Sequence, residues 1–308
     1  METETDKSHE IEFYDMDEED GRSPSFDNPI FNRTEEFVYL MSEKRGTKRR
    51  ITIYKTPEFT LHQKISIRGD QVQSAPLWLG DYTLLTVQST LNVYSVMTGK
   101  KVTLGKKIEG RYDETAIVSD PLSGKKLLIS FDGDSKMLKK QVIRGHTPVD
   151  GSDGEIEEFY NTKTLTPKTF VLEGKPTQST EQLEYEHAYP TLFTHIPNRV
   201  FASVADKVVE YDLKLTKLRE VSLLTLLGVS SLWCPKIREA SDGLLAISYD
   251  AKAYIWDPVS GMFMVTYTEG EKCYGCGESD AWTFSWKKGG RPVFVLTDDT
   301  ASMVIKRF

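Results

Sequence analysis

The sequence predicts an all-β fold that repeats one four-stranded antiparallel sheet along the chain, and three observations predict it. Helix-period stretches are nearly absent, and the best of them, 223–232, is short. Runs of four to seven residues rich in Val, Ile, Leu, Phe and Tyr recur instead between Gly, Pro, Asp and Lys turns. Several of those runs end in an aromatic followed by a polar residue.

The endings are Tyr54-Lys55, Tyr94-Ser95, Tyr160-Asn161, Tyr211-Asp212 and Trp256-Asp257, with aromatics 40, 66, 51 and 45 residues apart. Three continue through a turn into a further strand, at 97–100, 162–164 and 258–261. A second element precedes most of them: a short apolar strand, a tight turn and a more apolar strand. Thus 115–118 precedes 127–130, 191–193 precedes 200–203, Leu232-Trp233 precedes 244–247, and 282–284 precedes 293–296. Asp120-Pro121, Pro197-Asn198, Asp242-Gly243 and Gly289-Gly290 sit between them, where Pro fixes and Gly permits the angles of a reversal.

The repeat takes roughly 40 to 50 residues, the length of one four-stranded propeller blade. Such a sheet cannot bury both faces alone, whereas stacking in a ring buries them and leaves short edges. Units fall at 27–67, 73–106, 114–172, 187–222 and 231–267. The last, 281–308, supplies three strands, and the extended apolar stretch 10–16 is the expected outer strand that completes it and closes the ring. The expected architecture is a β-propeller of four-stranded antiparallel blades, six in number. Seven stays open because 114–172 is long for one blade. The expected organisation is a disordered acidic tail over 1–8 and a single domain over 9–308.

The stretch 241–257, Ser-Asp-Gly-Leu-Leu-Ala-Ile-Ser-Tyr-Asp-Ala-Lys-Ala-Tyr-Ile-Trp-Asp, resembles a WD40 repeat, including its Trp256-Asp257 pair. The C-terminal stretch 284–306 has the same cadence. As a pattern the resemblance covers most of the chain, and it implies a WD40-like propeller that holds other macromolecules. It also implies a strand order, a to d, in which b–c and d–a connections share one face.

Composition fits this class: 39% hydrophobic and 28% charged residues supply a core and a solvated surface. No run of apolar residues reaches membrane-spanning length. The acidic start lacks the layout of a secretory signal, and three cysteines cannot all pair. The expected setting is therefore cytoplasmic, with the nucleus open as well, and the Asn32-Arg33-Thr34 acceptor carries no meaning there. Residues 1–20 hold ten acids and one base, so the net charge of −7 leaves 21–308 at +2. A nearly neutral body argues against general nucleic-acid affinity.

Candidate sites are few. Cys273 and Cys276 have metal-ligand spacing and Cys234 is the third thiol, yet tetrahedral zinc needs four ligands, so a loop of reduced thiols is the preferred reading. His9, His62, His146, His187 and His195 read as packing or surface residues, and Trp78, Trp233 and Trp282 as core. Asp132-Gly133-Asp134 reads as a turn, since the longer alternation of a calcium loop is absent. No phosphate loop, nucleophile elbow or paired-carboxylate motif appears, which predicts a protein that is not an enzyme and carries no cofactor.

Lys44, Arg45, Lys48, Arg49 and Arg50 place five cations in seven residues, read as a solvated hairpin tip and as the interaction candidate. Loop lengths point the same way. The tip at 44–50 and an insertion 132–154 are expected b–c connections, while 17–28, 174–186 and the Cys-bearing 269–280 are expected d–a connections. All would collect on one face, the expected site of a protein or peptide partner. The alternatives are a propeller enzyme acting in the central channel and an RNA-binding subunit using the basic loop.

Overall fold

The computed structural model describes residues 9–12, 30–41, 48–68, 75–87, 90–107, 112–146, 169–183, 190–231, 236–239, 243–249, 252–268, 281–285, 293–297 and 302–307. Among them the strands form six four-stranded antiparallel sheets. The first strand in sequence, β1 (His9–Glu12), is set aside for the last sheet. One sheet holds β2 (Ile30–Phe31), β3 (Phe37–Met41), β4 (Lys48–Lys55) and β5 (Thr60–Arg68). Next come β6 (Leu77–Gly80), β7 (Thr83–Val87), β8 (Thr90–Ser95) and β9 (Lys101–Lys107). The third holds β10 (Glu114–Ser119), β11 (Lys126–Asp132), β12 (Met137–His146) and β13 (Thr169–Gln178). The fourth holds β14 (Thr191–Phe193), β15 (Arg199–Val204), β16 (Lys207–Asp212) and β17 (Lys217–Ser222), followed by a short helix α1 (Leu223–Leu227). The fifth holds β18 (Lys236–Glu239), β19 (Leu245–Tyr249), β20 (Lys252–Trp256) and β21 (Phe263–Thr268). The sixth holds β22 (Ala281–Ser285), β23 (Val293–Thr297) and β24 (Ser302–Arg307), with β1 as its outer strand.

The pairing of β1 runs His9 opposite Ile305 to Glu12 opposite Ser302. The N-terminal stretch therefore completes the C-terminal sheet, four residues long where seven were expected; 13–16 lie outside the described residues.

The chain divides into two compact units, 70–235 and the remainder. In each unit the first strands of its three sheets are neighbours. They are β6, β10 and β14 in one, and β18, β22 and β2 in the other.

Period-two alternation explains the packing in the 70–235 unit. Successive side chains of a strand point to opposite faces. In β11, Leu127, Ile129 and Phe131 join Val200, Ala202, Val204, Val209 and Tyr211 of the following sheet in one buried cluster. The intervening Leu128 joins Leu85, Val87, Leu91 and Val93 of the preceding sheet in another. A sheet buried on both faces reads as a continuous apolar run, and Lys126–Asp132 reads K-L-L-I-S-F-D for that reason.

The repeated aromatics are core residues: Tyr54, Tyr94, Tyr211 and Trp256 are all buried. At Tyr54, Tyr94 and Tyr211 the register against the fourth strand shifts, and on β20 it shifts at Tyr254. Burial, with Glu181 and Glu220 nearby, pushes the Tyr211 phenol up to about 12.

One turn recurs. Asp120-Pro-Leu-Ser-Gly124 joins β10 to β11, and Asp257-Pro-Val-Ser-Gly261 joins β20 to β21. In the second, Asp257 Oδ1 accepts from the amides of Val259 (2.8 Å) and Ser260 (3.2 Å), and the Ser260 hydroxyl donates to Oδ2 at 2.6 Å. Gly261 closes it at φ 76°, a left-handed angle that favours glycine. Partial burial would raise the Asp257 carboxyl, but the Ser260 hydroxyl and the two amides outweigh it and hold the group below the ordinary 3.8. A carboxyl depressed by folding stabilises above its unfolded value, and the contribution fades as pH falls through the folded value. Asp257→Ala is thus expected to cost about 1 kcal/mol at neutral pH, discounted for solvent screening. In denaturant titrations the difference from the parent chain shrinks below about pH 4; a gap that widens in acid contradicts the assignment.

Four expectations are corrected. The third strand of the β10–β13 sheet is Met137–His146, not the segment around Tyr160, which lies in 147–168 outside the described residues. The long connection of that sheet is consequently c–d, while its b–c turn spans only 133–136. Residues 174–178 belong to β13, so that d–a connection begins at 179. The first strand of the fifth sheet is Lys236–Glu239; Leu232-Trp233 lie outside the described residues.

Candidate interaction surface

Of the five cations singled out, Lys44 and Arg45 lie outside the described residues. The other three are not at a hairpin tip: β4 starts at Lys48, because Ile67 and Arg68 extend β5 far enough to pair with it. The register sets Lys48 opposite Arg68, Arg49 opposite Ile67, Arg50 opposite Ser66 and Thr52 opposite Lys64. Alternation then separates the run. Arg49 shares a side with Ile51, Ile53, Ile65 and Ile67, where its Nη1 lies 3.9 Å from Met41 Sδ. Arg50 shares the other side with Lys64 by register. The structure removes Arg49 from the cationic side and adds Lys64, which lies 14 positions from Arg50 in sequence. The alternation over 64–67, Lys-Ile-Ser-Ile, was the signal for it.

The carboxylates best defined in the 70–235 unit hold structure together. Glu210 on β16 receives Arg199 Nε at 2.8 Å from β15 and pairs with Arg219 of β17. Glu220 takes Lys207 at 2.8 Å and Lys217 at 3.1 Å, which hold its carboxyl below the usual range. Asp132 accepts from the Asp134 amide at 3.0 Å and pairs with Lys139. Burial would raise that carboxyl, but Lys139, Ser135 and the Asp134 amide prevail and lower it. The Asp132-Gly-Asp134 segment is a capped hairpin turn, as its composition suggested. A buried polar link also crosses this unit: Tyr112 OH donates to Gln141 Oε1 at 2.7 Å, and Gln141 Nε2 donates to the Gly174 carbonyl at 2.9 Å.

Cys234, Cys273, Cys276 and His187 lie outside the described residues. Among the described residues no group of three His, Cys, Asp or Glu side chains is arranged to hold a metal. Nor is any helix there long and apolar enough to cross a membrane.

Within each sheet, b–c and d–a connections leave at one end, a–b and c–d connections at the other. The segments 13–29, 42–47, 179–190 and 269–280 belong to the first kind, and 147–168 to the second.

No protein-family model matches the chain, and no curated protein matches it in sequence. Among solved structures it is similar to the β-propeller domain of Cps50 (Swd1) from Myceliophteria thermophila. The TM-score is 0.52 and the identity 10%, over 93% of this chain and 97% of that one. At that identity the likeness speaks for the fold alone. The WD40-like resemblance read from Trp256-Asp257 thus holds as architecture, and the chain is an all-β propeller of four-stranded antiparallel blades.

Proposed function

We propose that the protein is a non-enzymatic adaptor that holds a protein partner on the b–c and d–a ends of its blades. The observation that supports it most is the division of labour among charged groups. Glu210, Glu220, Asp132 and Asp257 are engaged in ion pairs and turns, which leaves the sheets as a scaffold for the connections they display. The blade number we assign is six, the ring being closed through β1, with 9–308 as one domain. A cytoplasmic or nuclear setting accords with the odd number of thiols.

Cross-linking of the full chain in native extract, read by mass spectrometry, tests this. Links from Lys48, Lys136 and Lys207, beside b–c connections, to one stoichiometric partner are expected. Links confined to Lys100, Lys125 and Lys214 at the other ends, or no stoichiometric partner, would reject the reading.

A further inference from the structure

In the 70–235 unit, the sheet ends opposite the b–c and d–a connections carry a charge pattern of their own. Lys100 closes the c–d turn of the second sheet and Lys101 starts β9. Lys125 closes the a–b turn of the third sheet, and Lys214 lies in the c–d turn of the fourth. All four are exposed, and none of their ammonium groups has a partner among the described residues. The carboxylates at the described turns of this end are Asp81, Asp120 and Asp212, and none is exposed. Asp120 accepts from the Leu122 amide at 3.0 Å and the Ser123 hydroxyl at 2.6 Å. Asp212 accepts from the amides of Lys214 and Thr216, both at 2.8 Å. The exposed charge of these turns is therefore positive throughout. The Thr194 hydroxyl, one residue past β14, donates to the Ile117 carbonyl of β10 at 2.7 Å, and Lys140 of β12 donates to the Leu213 carbonyl. Both bonds hold this end of the fourth sheet against the third.

An apolar side chain projects from the same turns. Leu122, three residues before Lys125, is 94% exposed. Its turn is fixed: the Asp120 amide donates to the Lys125 carbonyl and the Gly124 amide to the Asp120 carbonyl, both at 2.8 Å. A rigid apolar tip beside unpartnered lysines suits a lipid–water boundary. The side chain enters the acyl region there, while the ammonium groups stay among anionic headgroups. A single-stranded nucleic acid would need stacking platforms for its bases. Among the described turns at this end the one Phe, Tyr or Trp is Tyr82, which is half-buried.

We infer that this end of the 70–235 unit rests on an anionic lipid bilayer, with Leu122 entering it and Lys100, Lys101, Lys125 and Lys214 at its headgroups. The b–c and d–a connections of these sheets are then turned away from the lipid. The bilayer contact is thus a second surface, and it does not depend on the adaptor reading.

The test sediments the full chain with vesicles of phosphatidylserine and phosphatidylcholine in equal parts, and with vesicles of phosphatidylcholine alone. Binding to the first and not the second is expected. Each lysine lost should weaken it about fivefold, so Lys100→Glu with Lys125→Glu should weaken it about 25-fold or more. Leu122→Ser removes no charge and should weaken binding about fivefold. Leu122→Trp should show a blue shift of emission on adding the mixed vesicles, relative to the parent chain. Salt added to the unaltered chain should release it, so a folding defect cannot decide the matter. The chain's own rival for the lysines is the acidic run Asp150, Asp153, Glu155, Glu157 and Glu158. Binding that arises only when those five are replaced by amides assigns the lysines to that run and overturns the inference. Equal binding to both vesicles, no binding, unchanged binding of Leu122→Ser, or preference for an oligouridylate of equal charge also overturns it. Any of these outcomes, with partner cross-links from Lys136 and Lys207 intact, would leave the adaptor reading standing.

Discussion

Phe131→Ala is expected to lower the unfolding free energy by about 3–5 kcal/mol, the range for deleting a fully buried aromatic. Phe131 has no exposed surface and lies where β11 packs against Val200, Ala202 and Tyr211 of the following sheet. Deletion leaves a cavity between two sheets, each held by its own ladder and so poorly able to collapse. Leu122, 94% exposed in the turn before β11, is the control. Its replacement by Ala should stay within about 0.5 kcal/mol. Urea denaturation reads both; a Phe131→Ala loss below about 1 kcal/mol would mean that this contact between sheets contributes little.

Gln141→Leu is expected to cost about 2 kcal/mol, although Leu is the more apolar residue. Gln141 sits where the register between β12 and β13 slips, with Lys140 opposite Thr177 and Val142 opposite Glu173. The slip leaves Gly174 at φ 69° and its carbonyl turned to the Gln141 amide, while the Tyr112 hydroxyl takes the amide oxygen. Leucine removes both hydrogen bonds. Burial already pushes the Tyr112 phenol up, so ionisation offers no relief near neutral pH. Adding Tyr112→Phe to Gln141→Leu should recover part of the loss by removing the hydroxyl whose buried acceptor is gone. Strict additivity of the two changes in denaturant titrations would dismiss the link.

The blades were legible because propeller sheets write their period twice, in apolar runs and in an aromatic that closes the third strand. The unit at 187–222 corresponds to β14–β17 for both reasons, and the unit at 281–308, whose third strand has no aromatic, to β22–β24 through its apolar runs alone. The third strand of the β10–β13 sheet was hidden, since Met-Leu-Lys-Lys-Gln-Val-Ile-Arg buries Leu138, Gln141 and Ile143 and breaks alternation with a polar core residue. A decoy, Glu-Phe-Tyr at 158–160, carried the aromatic that β12 lacks. The cationic group was half legible for a related reason. Contiguous charge shows in a linear reading, but the side of a strand that each cation takes depends on register, which only pairing fixes. Lys64 entered the group, and Arg49 left it, on the register of β4 and β5.

The partnership of β1 with β24 carries a consequence for biogenesis. The strand ending at Glu12 leaves the ribosome roughly 290 residues before the one starting at Ser302. At translation speeds of about 5–20 residues per second it waits some tens of seconds for its mate. During that interval the newborn chain carries a strand without its mate, and the last sheet is completed only once the C-terminal strands have been made.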